Sequence, residues 1–201
     1  MCFYFKQSKD ATQLKYRFKA KFEDASLFSP SELFNGFTYP QTPIITNESP
    51  EQIQLYQWGF LPNWAKDISF RKHTLNAKYE TLNEKPSFKD AIHNRCLIIV
   101  DGFYEWQWLD PKGKSKQKYL ITLPNNELFT LAGLWNHWTH PQTQETLKTY
   151  TIITTEANEL MSQIHNSQKR MPFILTSQNE ANWLQGKDIL DNEVELIALE
   201  K

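Results

Sequence analysis

Residues 96–108 constrain the fold more tightly than any other stretch of the chain. The run CLIIV at 96–100 is short, continuous and apolar, as expected of a strand buried on both faces. Asp101-Gly102 interrupts it in the manner of a bulge or bend, and FYEWQW at 103–108 resumes as a second strand. Pro111-Lys112-Gly113 supplies turn chemistry, followed by strands over 117–123, 128–138 and 147–155, the last rich in β-branched residues. Upstream, 42–46 (TPIIT) and 53–60 (IQLYQWGF) read as strands. Helices are expected over 11–22, over 87–93 with Ser87 as N-cap, and over 156–164, where Ala157, Leu160, Met161 and Ile164 share a face. Residues 172–175 read as a short strand. Ser177 and Glu180 are spaced as a capping box opening a last helix over 179–185. Many short strands with few helices predict an α+β fold, a curled antiparallel sheet or open β-barrel-like core with peripheral helices.

With 201 residues and no Gly/Ser-rich linker or internal repeat, residues 1–201 are expected to form a single domain. Aromatic residues at 14% argue against disorder. Lys plus Arg number 22 against 23 Asp plus Glu, so a strongly basic nucleic-acid coater is excluded and any such contact must be local. Two cysteines, Cys2 and Cys96, fit a reducing, cytoplasmic setting better than a disulfide scaffold. No apolar stretch approaches the ~18 residues of a membrane span. The first residues turn polar too soon for a signal peptide. The five histidines lack ligand spacing with the cysteines, so neither a metal nor another cofactor is expected. A monomer is expected.

Cys2 carries the most distinctive chemistry. Removal of Met1 would leave an N-terminal 1,2-aminothiol. Its amine has a reference pKa of about 7.7–8.0, so roughly a quarter is neutral near pH 7.4, against about one lysine in a thousand. A neutral amine attacks an aldehyde to give an imine, and the adjacent thiol can close on that carbon as a thiazolidine. The same terminus also suits an N-terminal-nucleophile peptidase that uses its own amine as base. The bland reading is that Cys2 is merely a small second residue.

Other polar residues stand in apolar settings. Period two puts Phe103, Glu105 and Gln107 on one face of their strand and Tyr104, Trp106 and Trp108 on the other. Glu105 is a proton shuttle with a raised pKa if buried, and an ordinary surface carboxylate if not. His165 follows an apolar helical stripe and reads as a C-terminal cap or a proton donor. Asn76 reads as a turn residue, and Lys78 shares its face if the segment is extended. Trp58-Gly59-Phe60-Leu61-Pro62-Asn63-Trp64 is a rigid apolar segment that either packs internally or stacks on unstacked bases. The run KGKSKQK at 112–118 reads as a solvated hairpin tip.

In order, Cys2, the 37–43 stretch with Pro40, Trp58-Gly59-Phe60, Asn76-Ala77-Lys78 with Glu80-Thr81, Asp101 to Trp106, and His165 with Arg170-Met171-Pro172 resemble the SOS-response-associated peptidase family, the abasic-site processing proteins. The resemblance covers nearly the whole chain. It implies that Cys2 forms a thiazolidine with the ring-opened sugar of an abasic site in single-stranded DNA, and a capacity for strand cleavage by β-elimination. It implies that Glu105 moves protons, Asn76 orients the amine and His165 holds the sugar. Tyr4, Pro40, Trp58, Gly59, Phe60, Lys78 and Arg170 would contact DNA. Two departures stand out. The family's Met-Cys-Gly-Arg is here Met1-Cys2-Phe3-Tyr4, and its Asn-Ala-Arg is Asn76-Ala77-Lys78, which keeps the charge but loses the fork. Both point to weaker DNA affinity. A peptidase acting on its own Met1 or on other proteins, and a binding module without chemistry, remain the alternatives.

Overall fold

A computed structural model of the chain describes residues 2–189 and 193–201. Met1, on whose removal the expected chemistry depends, lies outside the described residues. The strands are β1 (Tyr4–Gln7), β2 (Ser31–Asn35), β3 (Gln41–Thr46), β4 (Ser49–Trp58), β5 (Asn76–Lys78), β6 (Arg95–Val100), β7 (Gly102–Trp108), β8 (Lys116–Thr122), β9 (Phe129–Thr139), β10 (Thr146–Glu156), β11 (Arg170–Pro172), β12 (Ile174–Leu175) and β13 (Ile197–Glu200). The helices are α1 (Ala11–Phe18), α2 (Glu159–Ile164) and α3 (Glu180–Leu184), with several single 3-10 turns between.

Neighbouring strands β10, β4, β3, β6 and β9 form a sheet that closes because β10 also pairs with β9. The expected curled sheet is therefore present as a closed barrel. It is not wholly antiparallel, since β10 runs parallel to β4 and to β5. A second sheet, in the order β13-β8-β7-β1-β2, packs beside it. The period-two geometry of a strand explains the uninterrupted apolar runs. Ile44, Ile98 and Ile152 join one buried cluster with Tyr56, Trp58, Trp135 and Tyr150. Their sequence neighbours Ile45, Leu97, Ile99 and Ile153 join another, with Leu14 of α1 and Trp183 of α3. Helices α1 and α3 thus cover the barrel's outside, while Met161 and Ile164 of α2 join the first cluster, and both faces of β6 are dry. Burying each such side chain stabilises the fold by roughly 1.5–3 kcal/mol. Phe5 and Phe103 of the second sheet, and Cys2 just before it, belong to the first cluster, so the start of the described chain is packed into the molecule.

The Asp101-Gly102 break is the point where the chain leaves the barrel for the second sheet. Asp101 is fully buried and acts as the anchor of β1. Its carboxylate accepts from Ser8 N at 2.9 Å and Ser8 Oγ at 2.6 Å, and Lys6 Nζ lies 3.3 Å away.

Several boundaries differ from expectation. The first helix stops at Phe18 because Lys19 turns left-handed, at φ 50. Residues 87–93 form no α-helix; they make only a 3-10 turn, Lys89–Ala91, without a side-chain cap. The helix expected from 156 begins at Glu159, capped by Asn158, because β10 continues to Glu156. Strand 172–175 is split between β11 and β12. Glu180 does not complete a capping box. It is buried, holds Arg17 Nη2 at 2.8 Å and accepts from Thr130 Oγ1 at 3.0 Å. Strands β1, β2 and β13 have no counterpart among the expected elements.

Candidate active site

Glu105 lies on β7, the strand reached directly from the barrel, and is only 4% exposed. Burial pushes its pKa up to about 7, so the acid and the carboxylate are both populated at neutral pH. Across from it, His165 Nε2 stands 3.9 Å from Glu105 Oε2. His165 does end α2, its N–H donating to Met161 O, but it is also 6% exposed. Its Nδ1 lies 2.7 Å from Arg170 O and 3.2 Å from Arg170 N, so the Arg170 backbone holds the ring with Nε2 toward Glu105. Burial lowers the pKa of His165, which keeps it neutral at pH 7. An acid poised near neutrality beside a neutral imidazole is suited to moving a proton in either direction.

Both residues line a cleft of about 330 Å³ together with Phe3, Tyr4, Trp106 and Trp108. Cys2 immediately precedes Phe3 in the chain and does not itself line the cleft. It is fully buried, and its thiol points at Tyr4 O, 3.7 Å away. Burial, and then the charge of Glu105, raise the thiol pKa well above its ordinary range. The sulfur is held as a thiol, so it is the amine, once freed, that is equipped to react first. A larger cleft, about 900 Å³, lies between α2 and residues 193–196, but Glu156, Glu159, Glu193 and Glu195 line it. Its charge is the wrong sign for a polyanion.

Asn76 opens β5, opposite Ile152 of β10. Its amide oxygen and nitrogen are shielded from solvent and have no hydrogen-bond partner among the described residues. Burying an amide in this way is costly unless a partner completes it. Arg170 links this strand to the histidine. Its guanidinium grips Glu80 through two 2.9 Å bonds and also donates to Thr154 O at 2.7 Å. Arg170 is thereby committed within the protein. Lys78 is exposed at the end of β5.

The remaining expected contacts separate by burial. Trp58 and Phe60 are 0% and 1% exposed and belong to the core, where Trp58 Nε1 donates to Leu75 O. Neither ring is placed to stack on a base. Gly59 adopts φ 122 between Tyr39 and Arg71, where a side chain would not fit. Pro40 is half-buried and accepts from Trp58 N. The ring this segment does present to solvent is Trp64, 48% exposed and steadied by a bond from Nε1 to Pro86 O. Its place just after Pro62-Asn63, at the end of the apolar run, is the signal that sets it apart. Tyr4 packs edge-on against Trp106. No group of three His, Cys, Asp or Glu side chains among the described residues is placed to hold a metal ion, and no helix there is long and apolar enough to cross a membrane.

The family model described as SOS response associated peptidase (SRAP) matches residues 1–200, and the chain belongs to that family. The Abasic site processing protein YoqW of Bacillus subtilis (strain 168) is 46% identical over 146 residues, 72% of this chain and 62% of the relative. The Abasic site processing protein HMCES of Gallus gallus is 33% identical over 171 residues, 73% of this chain and 49% of the relative. The chain thus spans less than two thirds of the length of either. A crystal structure of a Bacteroides thetaiotaomicron protein superposes with a TM-score of 0.88 at 32% identity, covering 99% of this chain and 91% of that one. A Bordetella bronchiseptica protein shares the fold, with a TM-score of 0.81 at 21% identity over 100% of this chain and 99% of that one.

Proposed function

We propose that this protein captures abasic sites in single-stranded DNA through Cys2, after Met1 is removed. The observation that carries the reading is a buried Glu105 with a pKa near 7, facing His165 in the cleft that begins at Phe3. The names of the relatives supply the lesion.

Removing Met1 converts the Cys2 nitrogen from an amide into an amine of near-neutral pKa. That amine attacks the aldehyde of the ring-opened sugar. Glu105, as the acid, gives a proton to the departing hydroxyl, and one water leaves as the imine forms. The Cys2 thiol then adds to the imine carbon while its proton passes to nitrogen, closing the thiazolidine. His165, neutral and hydrogen-bonded to Arg170 O, orients the sugar hydroxyl. Asn76 offers its unsatisfied amide to the new amine. Lys78 and Trp64 contact the strand at the surface. Such chemistry needs no metal or organic cofactor.

The test uses protein lacking Met1 and a single-stranded oligonucleotide with one abasic site. A heat-stable, slower-migrating band is expected on a denaturing gel, and reducing the aldehyde with borohydride beforehand should abolish it. A band that survives that reduction would rule out aldehyde chemistry.

The family is also named for a peptidase, and the same Cys2–Glu105 pair supports a second reading, release of Met1 by the protein itself. Purified chain retaining Met1 should then lose the mass of one methionine on standing, and Glu105→Gln should stop the loss.

A further inference from the structure

The β7–β8 hairpin is more than a solvated tip. Its register sets Trp106 directly opposite Lys118 and Trp108 directly opposite Lys116. Aromatic and cation therefore alternate along one face. Lys116 Nζ lies 5.2 Å from the Trp108 ring centroid, and Lys118 Nζ lies 4.1 Å from that of Tyr104 and 5.8 Å from that of Trp106. Trp106 and Trp108 are only partly buried, and both line the cleft that holds Glu105 and His165. Successive rungs of this ladder are about 6.8 Å apart, comparable to the reach of one nucleotide in an extended strand.

The hairpin is built to hold its shape. Asn166, next to His165, ties both backbone groups of Trp108: its Oδ1 accepts from Trp108 N at 3.0 Å and its Nδ2 donates to Trp108 O at 2.9 Å. Gly113, at φ 63, packs under the Trp108 ring, where a Cβ would come within 2.6 Å. In the turn, backbone N–H groups of residues 112–115 converge on the Asp110 carboxylate and lower its pKa. The Asn166 pair thus ties the hairpin to the histidine loop.

From this we infer that the Trp106–Trp108 and Lys116–Lys118 face of the hairpin is a binding platform for the single-stranded DNA flanking the captured nucleotide. Bases stack on the tryptophans, and phosphates meet Lys116 and Lys118, with Lys112 and Lys114 beyond them at the tip. Stacking on an aromatic side chain tolerates any base, so the platform reads no sequence. It supplies a local positive surface in a chain whose net charge is only −1. The inference rests on the proposed function for its choice of ligand.

The test separates binding from chemistry by using an oligonucleotide whose lesion is a tetrahydrofuran, which has no aldehyde to crosslink. Its affinity is measured by fluorescence anisotropy across a salt series, for the wild-type chain, for Trp108→Ala, and for a variant with Lys112, Lys114, Lys116 and Lys118 all changed to Gln. Loss of the Trp108 ring should weaken binding about tenfold. The lysine variant should flatten the slope of log affinity against log salt by about 0.7 for each phosphate it no longer neutralises. Circular dichroism confirms that each variant is folded, and Leu109→Ala, exposed at the turn, provides a second variant of the tip that should bind as the wild type does. Unchanged affinity and slope in both Trp108→Ala and the lysine variant would overturn the platform, as would a wild-type chain that does not bind. Failure of wild-type protein lacking Met1 to crosslink a true abasic strand, with tetrahydrofuran binding intact, would instead remove the proposed function and leave the platform standing.

Discussion

Glu105 shows how burial changes the titration of an ordinary side chain. Its pKa rises from 4.5 to about 7 because the carboxylate loses its water, and folding therefore favours the protonated form. The resulting stability is fully present below about pH 4.5 and is lost as pH rises through about 7. At pH 8 the buried charge costs on the order of 3 kcal/mol. Glu105→Gln should thus raise Tm by several degrees at pH 8 and leave it nearly unchanged at pH 4, as followed by circular dichroism. The same substitution should slow crosslinking. In the wild type the rate should be bell-shaped in pH, rising as the amine loses its proton near pH 7.7–8.0 and falling as Glu105 ionises above about 7. In Glu105→Gln only the rise should remain. The position of Glu105 among aromatics is legible in the sequence, but its burial is not: alternation in FYEWQW assigns faces without saying which face is covered. Cys2 is similar, since nothing in Met1-Cys2-Phe3-Tyr4 shows that the thiol will be enclosed.

Strand β1 carries Cys2 into place, and its pattern hides it from a reading by alternation. YFKQ ends in Lys6 and Gln7, polar residues that are nonetheless buried, at 7% and 0% exposure. What makes Lys6 tolerable there is Asp101, far away in sequence, which also fixes Ser8. Removing one partner of a buried ion pair leaves the other uncompensated, at a cost of about 3–5 kcal/mol. Asp101→Ala should accordingly lower the free energy of unfolding in urea by that order, while Lys9→Ala, 4.0 Å from the same carboxylate and more exposed, should cost under ~1 kcal/mol. Equal losses from the two variants would mean that Asp101 is not the anchor. Strands with long apolar runs, such as β6 and β10, are legible because burial on both faces leaves no polar positions. The 87–93 segment reads as a helix because Pro86-Ser87 mimics a helix start, whereas the chain there makes only a 3-10 turn.

At the scale of the molecule, the barrel closes through the pairing of β9 with β10 and of β10 with β4. The β4–β10 pairing joins strands distant in sequence, which local periodicity cannot order. Closure sets β5 and β11 on either side of β10, with Asn76 opposite Ile152 and Arg170 opposite Glu156. The second sheet then lays β7 and β1 side by side, which puts Glu105 within electrostatic reach of Cys2. Six short motifs spread over the chain are visible in order, whereas only the topology brings Glu105 and His165 to one cleft and sends Trp58 and Phe60 into the core. The account is tested most directly by the intact mass of the chain lacking Met1 after incubation with single-stranded abasic DNA. It predicts one species at the summed mass of protein and DNA less one water, surviving heat and absent from Cys2→Ala. Wild-type protein that stays unmodified, or a Cys2→Ala adduct of equal stability, would contradict it.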